Sequence, residues 1–203
     1  MIGILDYGVG NVGAFQRIYH SQNVPTIAIS RPSHFEGITK LILPGVGAFD
    51  TAMTKLNESG LRLKLDEMVV GRNMPLLGVC IGMHMLGNKS EEGSIDGLGY
   101  IKGCTRIHRD KDVPLPHMGW NDVSTRYEDR IWDGIDTLVG FYFLHSYVFE
   151  PESEADTFAT SEYGSGFVSA IKSAEIYGFQ FHPEKSLTNG TNLLVNFAKK
   201  DVC

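Results

Sequence analysis

A short apolar run, Leu76 to Val79, ends in the motif Gly78-x-Cys80-x-Gly82, and residues 83–86 continue like the start of a helix. A strand that turns directly into a helix between two glycines is the nucleophile-elbow pattern, here with a thiol in place of a hydroxyl. The glycines remove side chains that would collide at so sharp a turn, and free N–H groups at the helix start favour a thiolate. On this window alone, a buried structural cysteine is as good an interpretation as a nucleophile, because free cysteines are commonly buried.

Strand and helix patterns alternate along the first half of the chain. The expected strands are 1–5, 24–29, 40–43 and 76–79, and the expected helices are 12–21 and 52–70, the second divided at Ser59-Gly60. Such alternation, with continuously apolar strands, is typical of a parallel sheet covered by helices on both faces. The sequence therefore predicts an α/β fold of three layers (αβα), with a mostly parallel sheet as the central layer.

The pattern changes after about Gly93. The expected strands there are 99–108, 120–124, 141–149, 157–161, 167–172 and 176–180, followed by a helix at 191–199. Turn signals at Asp96-Gly97, Tyr163 to Gly166 and Tyr177-Gly178 suggest hairpins, so we expect antiparallel additions to the sheet. The chain contains no repeat, low-complexity segment or linker, which predicts a single domain over residues 1–203.

A second chemical signal is the sequence Phe181-His182-Pro183-Glu184, directly after an apolar strand. On an extended segment His182 and Glu184 face the same side, and Pro183 biases His182 towards extended geometry. A thiol nucleophile needs a base whose ring is oriented by a third group. Although a lone histidine near a strand end is more often structural, the combination with Cys80 predicts a Cys80–His182–Glu184 triad.

The loop Pro44-Gly45-Val46-Gly47 follows the third expected strand. In parallel sheets, ligands bind beyond the carboxyl ends of the strands, where this loop and the elbow both open. We expect a backbone N–H of Val46 or Gly47, together with that of Ile81, to form an oxyanion hole. Without Cys80, an ordinary tight turn would be the better interpretation.

The pattern Gly8-x-Gly10-x-x-Gly13 after the first strand is typical of a dinucleotide-binding turn. Such sites place an acidic residue about 20 positions further on, where this chain has Ser30-Arg31-Pro32 instead. We therefore interpret the glycines as serving backbone geometry.

Composition excludes several classes of function. A net charge of -6 without a dense Lys/Arg run argues against nucleic-acid binding, and no apolar stretch approaches the roughly 18 residues of a membrane span. The three cysteines, Cys80, Cys104 and Cys203, are scattered and form no C-x-x-C pair, so neither a disulfide framework nor a metal site is expected. We expect a cytoplasmic protein that needs no cofactor.

Taken together, the elbow, the His182-Pro183-Glu184 motif and the glycine loop resemble the class I glutamine amidotransferases, whose fold is flavodoxin-like. Further windows resemble one branch of this family and run nearly end to end: 6–11, 43–49, 116–121, 141–147 and 180–186. The resemblance implies that Cys80 attacks the carboxamide of L-glutamine, that His182 shuttles the proton, and that Glu184 orients His182.

The resemblance also assigns the glutamine site. It maps to Gly47, to Glu92 and to the backbone of His145, Ser146 and Tyr147. The family usually has Gln four residues after the nucleophile, whereas this chain has His84. One helical turn beyond Cys80, His84 can face the bound amide, with different hydrogen-bond geometry and a possible charge. The affinity and the identity of the amide substrate are thus left open.

Members of this branch work with a cyclase subunit that is a (β/α)8 barrel. Ammonia passes through a tunnel to the cyclase, which forms imidazole glycerol phosphate and aminoimidazole carboxamide ribotide in histidine biosynthesis. The resemblance implies a heterodimer, with Asn11, Trp120, Tyr142 and Lys185 at the docking face. The competing interpretation for Trp120 and Tyr142 is core packing.

Three alternatives stay open. A paralogous subunit would supply ammonia to another acceptor, such as a surface-polysaccharide sugar. A non-catalytic binding module on the same fold is disfavoured by the intact Cys80, His182 and Glu184. A stand-alone cysteine hydrolase, such as a γ-glutamyl hydrolase, is disfavoured by the windows around Trp120 and Tyr142.

Overall fold

A central eight-stranded sheet organises the molecule. The structure is a computed structural model and describes residues 1–110 and 112–200. Cys203 lies outside the described residues. The strands are β1 (Ile2–Leu5), β2 (Thr26–Ile29), β3 (Lys40–Gly45), β4 (Leu76–Cys80), β5 (Lys89–Ser90), β6 (Gly103–Ile107), β7 (His117–Asn121), β8 (Ser124–Thr125), β9 (Phe141–His145), β10 (Tyr147–Pro151), β11 (Thr157–Tyr163), β12 (Ser165–Ser173) and β13 (Ile176–Phe179). The helices are α1 (Val12–Ser21), α2 (Phe49–Glu58), α3 (Arg62–Asp66), α4 (Ile81–Met85) and α5 (Leu187–Lys199).

The large sheet has the order β2-β1-β3-β4-β13-β12-β11-β8. Its first five strands are parallel, and β12, β11 and β8 continue it in antiparallel fashion. Two small sheets, β10-β6-β5 and β7-β9, lie outside it. The predicted α/β class, with a mostly parallel flavodoxin-like sheet and antiparallel additions, is confirmed.

Helices cover the sheet in two pairs. Helix α1 packs against α5, where the Tyr19 hydroxyl donates to the Leu194 carbonyl at 3.0 Å, and α2 packs against α4. Strands β1, β3 and β4 are buried along their whole length, as their continuous apolar runs require. The carboxyl ends of β3 and β4 therefore meet at one edge between two helical layers.

Several predicted boundaries in the second half were wrong. The strand expected at 141–149 is two strands in different sheets, because the chain changes direction at Ser146, and the strand at 120–124 likewise divides into β7 and β8. The strand expected at 99–108 is shorter and consists of β6, and no hairpin forms at Asp96-Gly97. The last helix begins at Leu187 rather than Thr191.

Tyr177-Gly178 is not a turn but the middle of β13. The turn lies at Ala174, which has a φ of 50°. A Cβ at Gly178 would lie 2.7 Å from the side chains of Ile171 and Met83, so this glycine permits close packing of α4 on the sheet. The predicted hairpin at 163–166 joins β11 to β12, with Gly164 at a φ of 71°.

The glycines after β1 have a structural reason. Gly10 has a φ of 92°, and a Cβ there would lie 2.8 Å from Cβ of Pro44. The turn after β1 is thus packed directly against the loop after β3, which agrees with the interpretation of these glycines as backbone features.

No helix within the two described ranges is long and apolar enough to cross a membrane. Among the same residues, no group of three or more His, Cys, Asp or Glu side chains is arranged to hold a metal ion.

Candidate active site

Cys80 occupies the sharp turn between β4 and α4. Its backbone has φ 54° and ψ -112°, a conformation that costs a non-glycine residue on the order of 1–3 kcal/mol and persists only where the surroundings impose it. Because α4 has only five residues, it offers free N–H groups at its start but no long helix dipole.

Three glycines impose that turn. A Cβ at Gly82 would lie 2.0 Å from the Leu43 carbonyl oxygen, one at Gly45 would lie 2.4 Å from the Gly82 nitrogen, and one at Gly78 would lie 2.6 Å from the Gly82 oxygen. Since real Cβ atoms essentially never approach so closely, the elbow packs against β3 backbone to backbone. This contact places the Pro44–Gly47 loop beside Cys80.

His182 joins Cys80 to Glu184. Its Nδ1 lies 2.8 Å from Oε1 of Glu184, and its ring interacts electrostatically with Cys80, whose thiol lies 3.9 Å from the Leu144 carbonyl oxygen. Burial disfavours the imidazolium, but the interactions with Cys80 and Glu184 outweigh it and raise the pKa of His182 to about 10. The His182 and Glu184 side chains are each only 3% exposed, so solvent screens this interaction little.

The backbone holds His182 in place. Its N–H donates to the Tyr142 carbonyl at 2.9 Å, and its own carbonyl accepts from the Ser186 hydroxyl at 2.6 Å. Glu184 is not on an extended segment, as the sequence suggested, but in a 3₁₀ turn over Pro183–Lys185. The turn still brings its carboxylate to the His182 ring.

A cavity of about 270 Å³ opens above Cys80. That is slightly below the roughly 300–1,000 Å³ of sites for drug-sized ligands, so a small metabolite suits it. The predicted oxyanion and substrate positions all line this cavity: Val46, Gly47, Ile81, His84, Glu92, His145, Ser146 and Tyr147. Val46 is 44% exposed and Gly47 has a φ of 85°, so both belong to an open loop.

Glu92 supplies a carboxylate to the cavity. Burial raises its pKa, aided by the nearby charge of Asp50, although a hydrogen bond from the Phe49 N–H at 3.0 Å to Oε2 acts in the opposite direction. Asp50 in turn accepts the N–H groups of Ser94 and Ile95 at 2.9–3.1 Å. The start of α2 therefore anchors the loop that carries Glu92.

His84 is 1% exposed, and its Nε2 lies 2.8 Å from Oε1 of Gln180. Burial lowers the pKa of His84 to about 4, against the effect of this hydrogen bond. The charge that the sequence allowed at this position is therefore absent near pH 7. The other ring nitrogen, Nδ1, is buried without a hydrogen-bond partner.

Of the four residues expected at a docking face, Tyr142 and Lys185 touch the triad through backbone hydrogen bonds to His182, and Lys185 also lines the cavity. Trp120 is 45% exposed, so the core interpretation was wrong for it, and Tyr142 is half-buried. The Lys185 ammonium lies 5.7 Å from the centroid of the Tyr142 ring. Asn11 is exposed and caps α1 by accepting the Ala14 N–H at 3.1 Å.

Sequence reasoning missed several contributors. Pro116 and Leu144 line the cavity, Gln180 holds His84, and His117 contacts His145. The windows 116–121 and 141–147 already pointed to these segments, but not to the roles of the individual side chains. Cys104, partly buried on β6, is not among the cavity residues.

Solved structures with this architecture include one described as a glutamine amidotransferase. That structure superposes with a TM-score of 0.72 at 19% identity, covering 97% of this chain and 98% of that one. The PurLQS structure from Thermotoga maritima gives a TM-score of 0.69 at 13% identity, covering 97% and 96%. At such identities these matches establish the fold alone.

Sequence comparison is more specific. Residues 9–200 match the family model "Glutamine amidotransferase class-I". The imidazole glycerol phosphate synthase subunit HisH of Bdellovibrio bacteriovorus is 44% identical over 203 residues, covering 98% of this chain and all of that protein. The HisH subunit of Leptospira interrogans is 43% identical, covering 98% and 99%. The chain therefore belongs to the class I glutamine amidotransferase family.

Proposed function

We propose that this chain is the glutaminase subunit of an imidazole glycerol phosphate synthase, acting in histidine biosynthesis. It hydrolyses L-glutamine to glutamate and ammonia, and a cyclase subunit uses the ammonia to form imidazole glycerol phosphate and aminoimidazole carboxamide ribotide. The observation that carries the proposal is His182, which hydrogen-bonds Glu184 and lines the same small cavity as Cys80, in a chain that matches HisH subunits over nearly its whole length.

The reaction begins at the thiol of Cys80. In the resting site its proton already lies on His182, and the hydrogen bond from Nδ1 of His182 to Glu184 stabilises this imidazolium. The thiolate then attacks the carboxamide carbon of glutamine and forms a C–S bond, while the carbonyl π electrons move to the oxygen. Backbone N–H groups of Ile81 and of Val46 or Gly47 stabilise this oxyanion.

The second half releases the products. His182 returns the proton to the leaving nitrogen, the C–N bond breaks, and ammonia departs from a glutamyl thioester. Water, deprotonated by the now neutral His182, attacks the thioester, and the C–S bond breaks to give the side-chain carboxyl group of glutamate and the Cys80 thiolate, with the proton from water left on His182. No cofactor takes part in these steps.

The remaining lining residues hold the substrate. The Glu92 carboxylate is suited to the α-ammonium group of glutamine, because the cavity is partly shielded from solvent and the charges are opposite. Gly47 and the backbone of His145, Ser146 and Tyr147 provide peptide groups for its other polar atoms. His84 adds a neutral ring to the cavity wall, held by Gln180.

The partner in this proposal is a (β/α)8-barrel cyclase that docks at Asn11, Trp120, Tyr142 and Lys185. Exposed tryptophan and tyrosine are the residue types that contribute most at protein interfaces. A closed path between the subunits keeps ammonia from being protonated or lost in water. We further propose that residues 1–203 form one glutamine amidotransferase domain and that it works in the cytoplasm, where thiols stay reduced.

The proposal is tested by purifying the chain together with the cyclase encoded in the same organism. We expect low glutaminase activity for the chain alone and a rise when the cyclase and its nucleotide substrate are present. Glutamine-dependent formation of imidazole glycerol phosphate supports the proposal. If glutamine is turned over without that product, and its nitrogen is instead transferred to a different acceptor such as a sugar nucleotide, the paralogous function is favoured.

The first testable prediction concerns Cys80→Ala in that complex. Glutamine-dependent synthesis should be lost, because Cys80 is the cysteine among the residues described as lining the cavity. Synthesis from added ammonium should persist. Both rates are measured in the same preparation, with Cys104→Ala as the control that keeps both activities. Glutamine use by the Cys80→Ala complex would show that Cys80 is not the nucleophile.

A further inference from the structure

Two buried histidines stand directly opposite each other behind the cavity. His117 on β7 is the register partner of His145 on β9, and the two rings meet edge to face with Nδ1 of His117 3.0 Å from Nε2 of His145. Their residues are 3% and 6% exposed. His145 belongs to the segment that lines the cavity, whereas His117 does not.

One bond fixes the protons of this pair. The Nδ1 of His145 lies 3.0 Å from the Tyr147 carbonyl oxygen, which can only accept, so the proton of His145 is on Nδ1. Burial lowers the pKa of His145 well below its usual value and that of His117 to about 4, so both rings are neutral near pH 7. The Nε2 of His145 is then an acceptor, and His117 must donate to it from Nδ1.

The next neighbour agrees with this assignment. Asn121 donates its amide N–H to the Glu162 carbonyl at 2.8 Å, while its Oδ1 accepts the Asp122 N–H at 2.9 Å, which fixes the orientation of the amide. Its Nδ2 lies 3.4 Å from Nε2 of His117, the nitrogen left without a proton. From Asn121 to His117, His145 and Tyr147, each hydrogen bond is therefore donated by the earlier residue to the later one, towards the cavity backbone.

Packing holds His117 in this position. Its ring is stacked between Phe143, at a centroid distance of 4.9 Å, and Tyr163, at 4.1 Å. A side chain held on both faces has little freedom to turn its donor away from His145.

We propose that His117 is a positioning residue for glutamine binding: by fixing the tautomer of His145 it fixes the carbonyl of Tyr147, and with it the cavity backbone at residues 145–147. The inference rests on the proposed function only in taking that backbone as the substrate's binding surface. The backbone at residues 145–147 binds glutamine equally in the ground state and in the transition state. If that backbone becomes less ordered, KM rises and kcat stays nearly unchanged.

The direct test is ¹⁵N NMR of the imidazole rings in the full chain. Both His117 and His145 should appear neutral at pH 7 with the proton on Nδ1, the opposite of the tautomer that free histidine favours in water. The signals are assigned by their loss in His117→Asn and His145→Asn. A proton on Nε2 of either ring would overturn the proposal, and this readout does not depend on any enzymatic activity.

The kinetic test compares His117→Phe with His117→Asn in the complex with the cyclase. Phenylalanine keeps the stacking but has no donor, so KM for glutamine should rise about tenfold with kcat within about twofold. Asparagine can donate from the position of Nδ1 and should restore most of the affinity.

The matched control is His108→Phe. His108 is also buried, packs against Phe167 and bonds the Tyr163 carbonyl at 2.8 Å, but its side chain makes no bond to His145. Its backbone N–H donates to the Ser146 carbonyl at 2.9 Å, a bond that the phenylalanine variant keeps. It should affect stability without changing KM. Equal effects of the His108 and His117 variants on KM, or no rescue by asparagine, would assign His117 a purely structural role. If His117→Phe does not fold, the NMR result decides alone.

Discussion

At the scale of single residues, the site combines a strained nucleophile with a base of raised pKa. The φ of 54° at Cys80 is imposed by neighbouring backbone. Glu184 holds the His182 ring, and both Glu184 and Cys80 raise the pKa of that ring. The sequence predicted the pairing of these side chains because the two motifs are local. The contact between Gln180 and His84 was unpredictable, since it depends on how α4 lies against β13.

The carboxylate of Glu184 provides the second prediction. Glu184→Gln keeps the shape but cannot stabilise the imidazolium, so kcat for glutamine should fall on the order of 10²- to 10⁴-fold with a smaller change in KM. Steady-state glutaminase kinetics in the complex measure this. Glu58→Gln, at the exposed end of α2, is the control and should behave like the wild type. An unchanged kcat for Glu184→Gln would remove this residue from the triad.

At the scale of elements, the site is made by the contact between the β3 loop and the elbow. Both segments were predictable, because Gly45, Gly78 and Gly82 mark positions where backbones meet. The second half was predicted less well. The break at Ser146 separates β9 from β10 and creates the cavity wall. Residues 141–149 are rich in aromatic and apolar side chains and contain no Gly or Pro, so only tertiary pairing reveals the break.

The third prediction tests the elbow contact. In Gly82→Ala the added Cβ would lie 2.0 Å from the Leu43 carbonyl oxygen, a backbone atom that cannot move aside cheaply. We expect a loss of about 3 kcal/mol or more in the free energy of unfolding, measured by urea denaturation. Gly71→Ala, where a Cβ meets nothing within 4 Å, should stay within about 0.5 kcal/mol of the wild type. Equal stabilities for the two variants would contradict the packing argument.

At the scale of the whole molecule, four of the buried histidines divide into two kinds. His84, His117 and His145 have lowered pKa values because burial excludes the charged ring, whereas the pKa of His182 is raised to about 10 by Cys80 and Glu184. These histidines lie around one cavity, so the same protonation changes affect both the stability of the fold and the state of the site.

The fourth prediction follows from these opposite shifts. Between pH 6.5 and about 4, His84 and His117 bind protons in the unfolded chain but stay neutral in the folded chain. The free energy of unfolding therefore falls on acidification. Between pH 6.5 and about 10 the folded chain holds a proton on His182 that the unfolded chain releases, so this contribution is lost as pH rises. Urea denaturation across pH 4–10 should therefore show maximum stability near pH 6.5.

Single variants separate the two limbs of this profile. His84→Gln should flatten the acid limb, and Cys80→Ala should flatten the alkaline limb, because each removes one of the groups responsible. A stability that rises steadily from pH 6.5 to 10 would contradict the assigned protonation of His182.

The most direct test of the account is to identify the sulfur that reacts with an amide donor. The complex is treated with a glutamine-mimicking diazoketone, digested, and mapped by mass spectrometry. We predict one adduct, on Sγ of Cys80, that excess glutamine prevents and that parallels the loss of glutaminase activity. An adduct on Cys104 or Cys203 that accounts for the inactivation, with Cys80 unmodified, would contradict it.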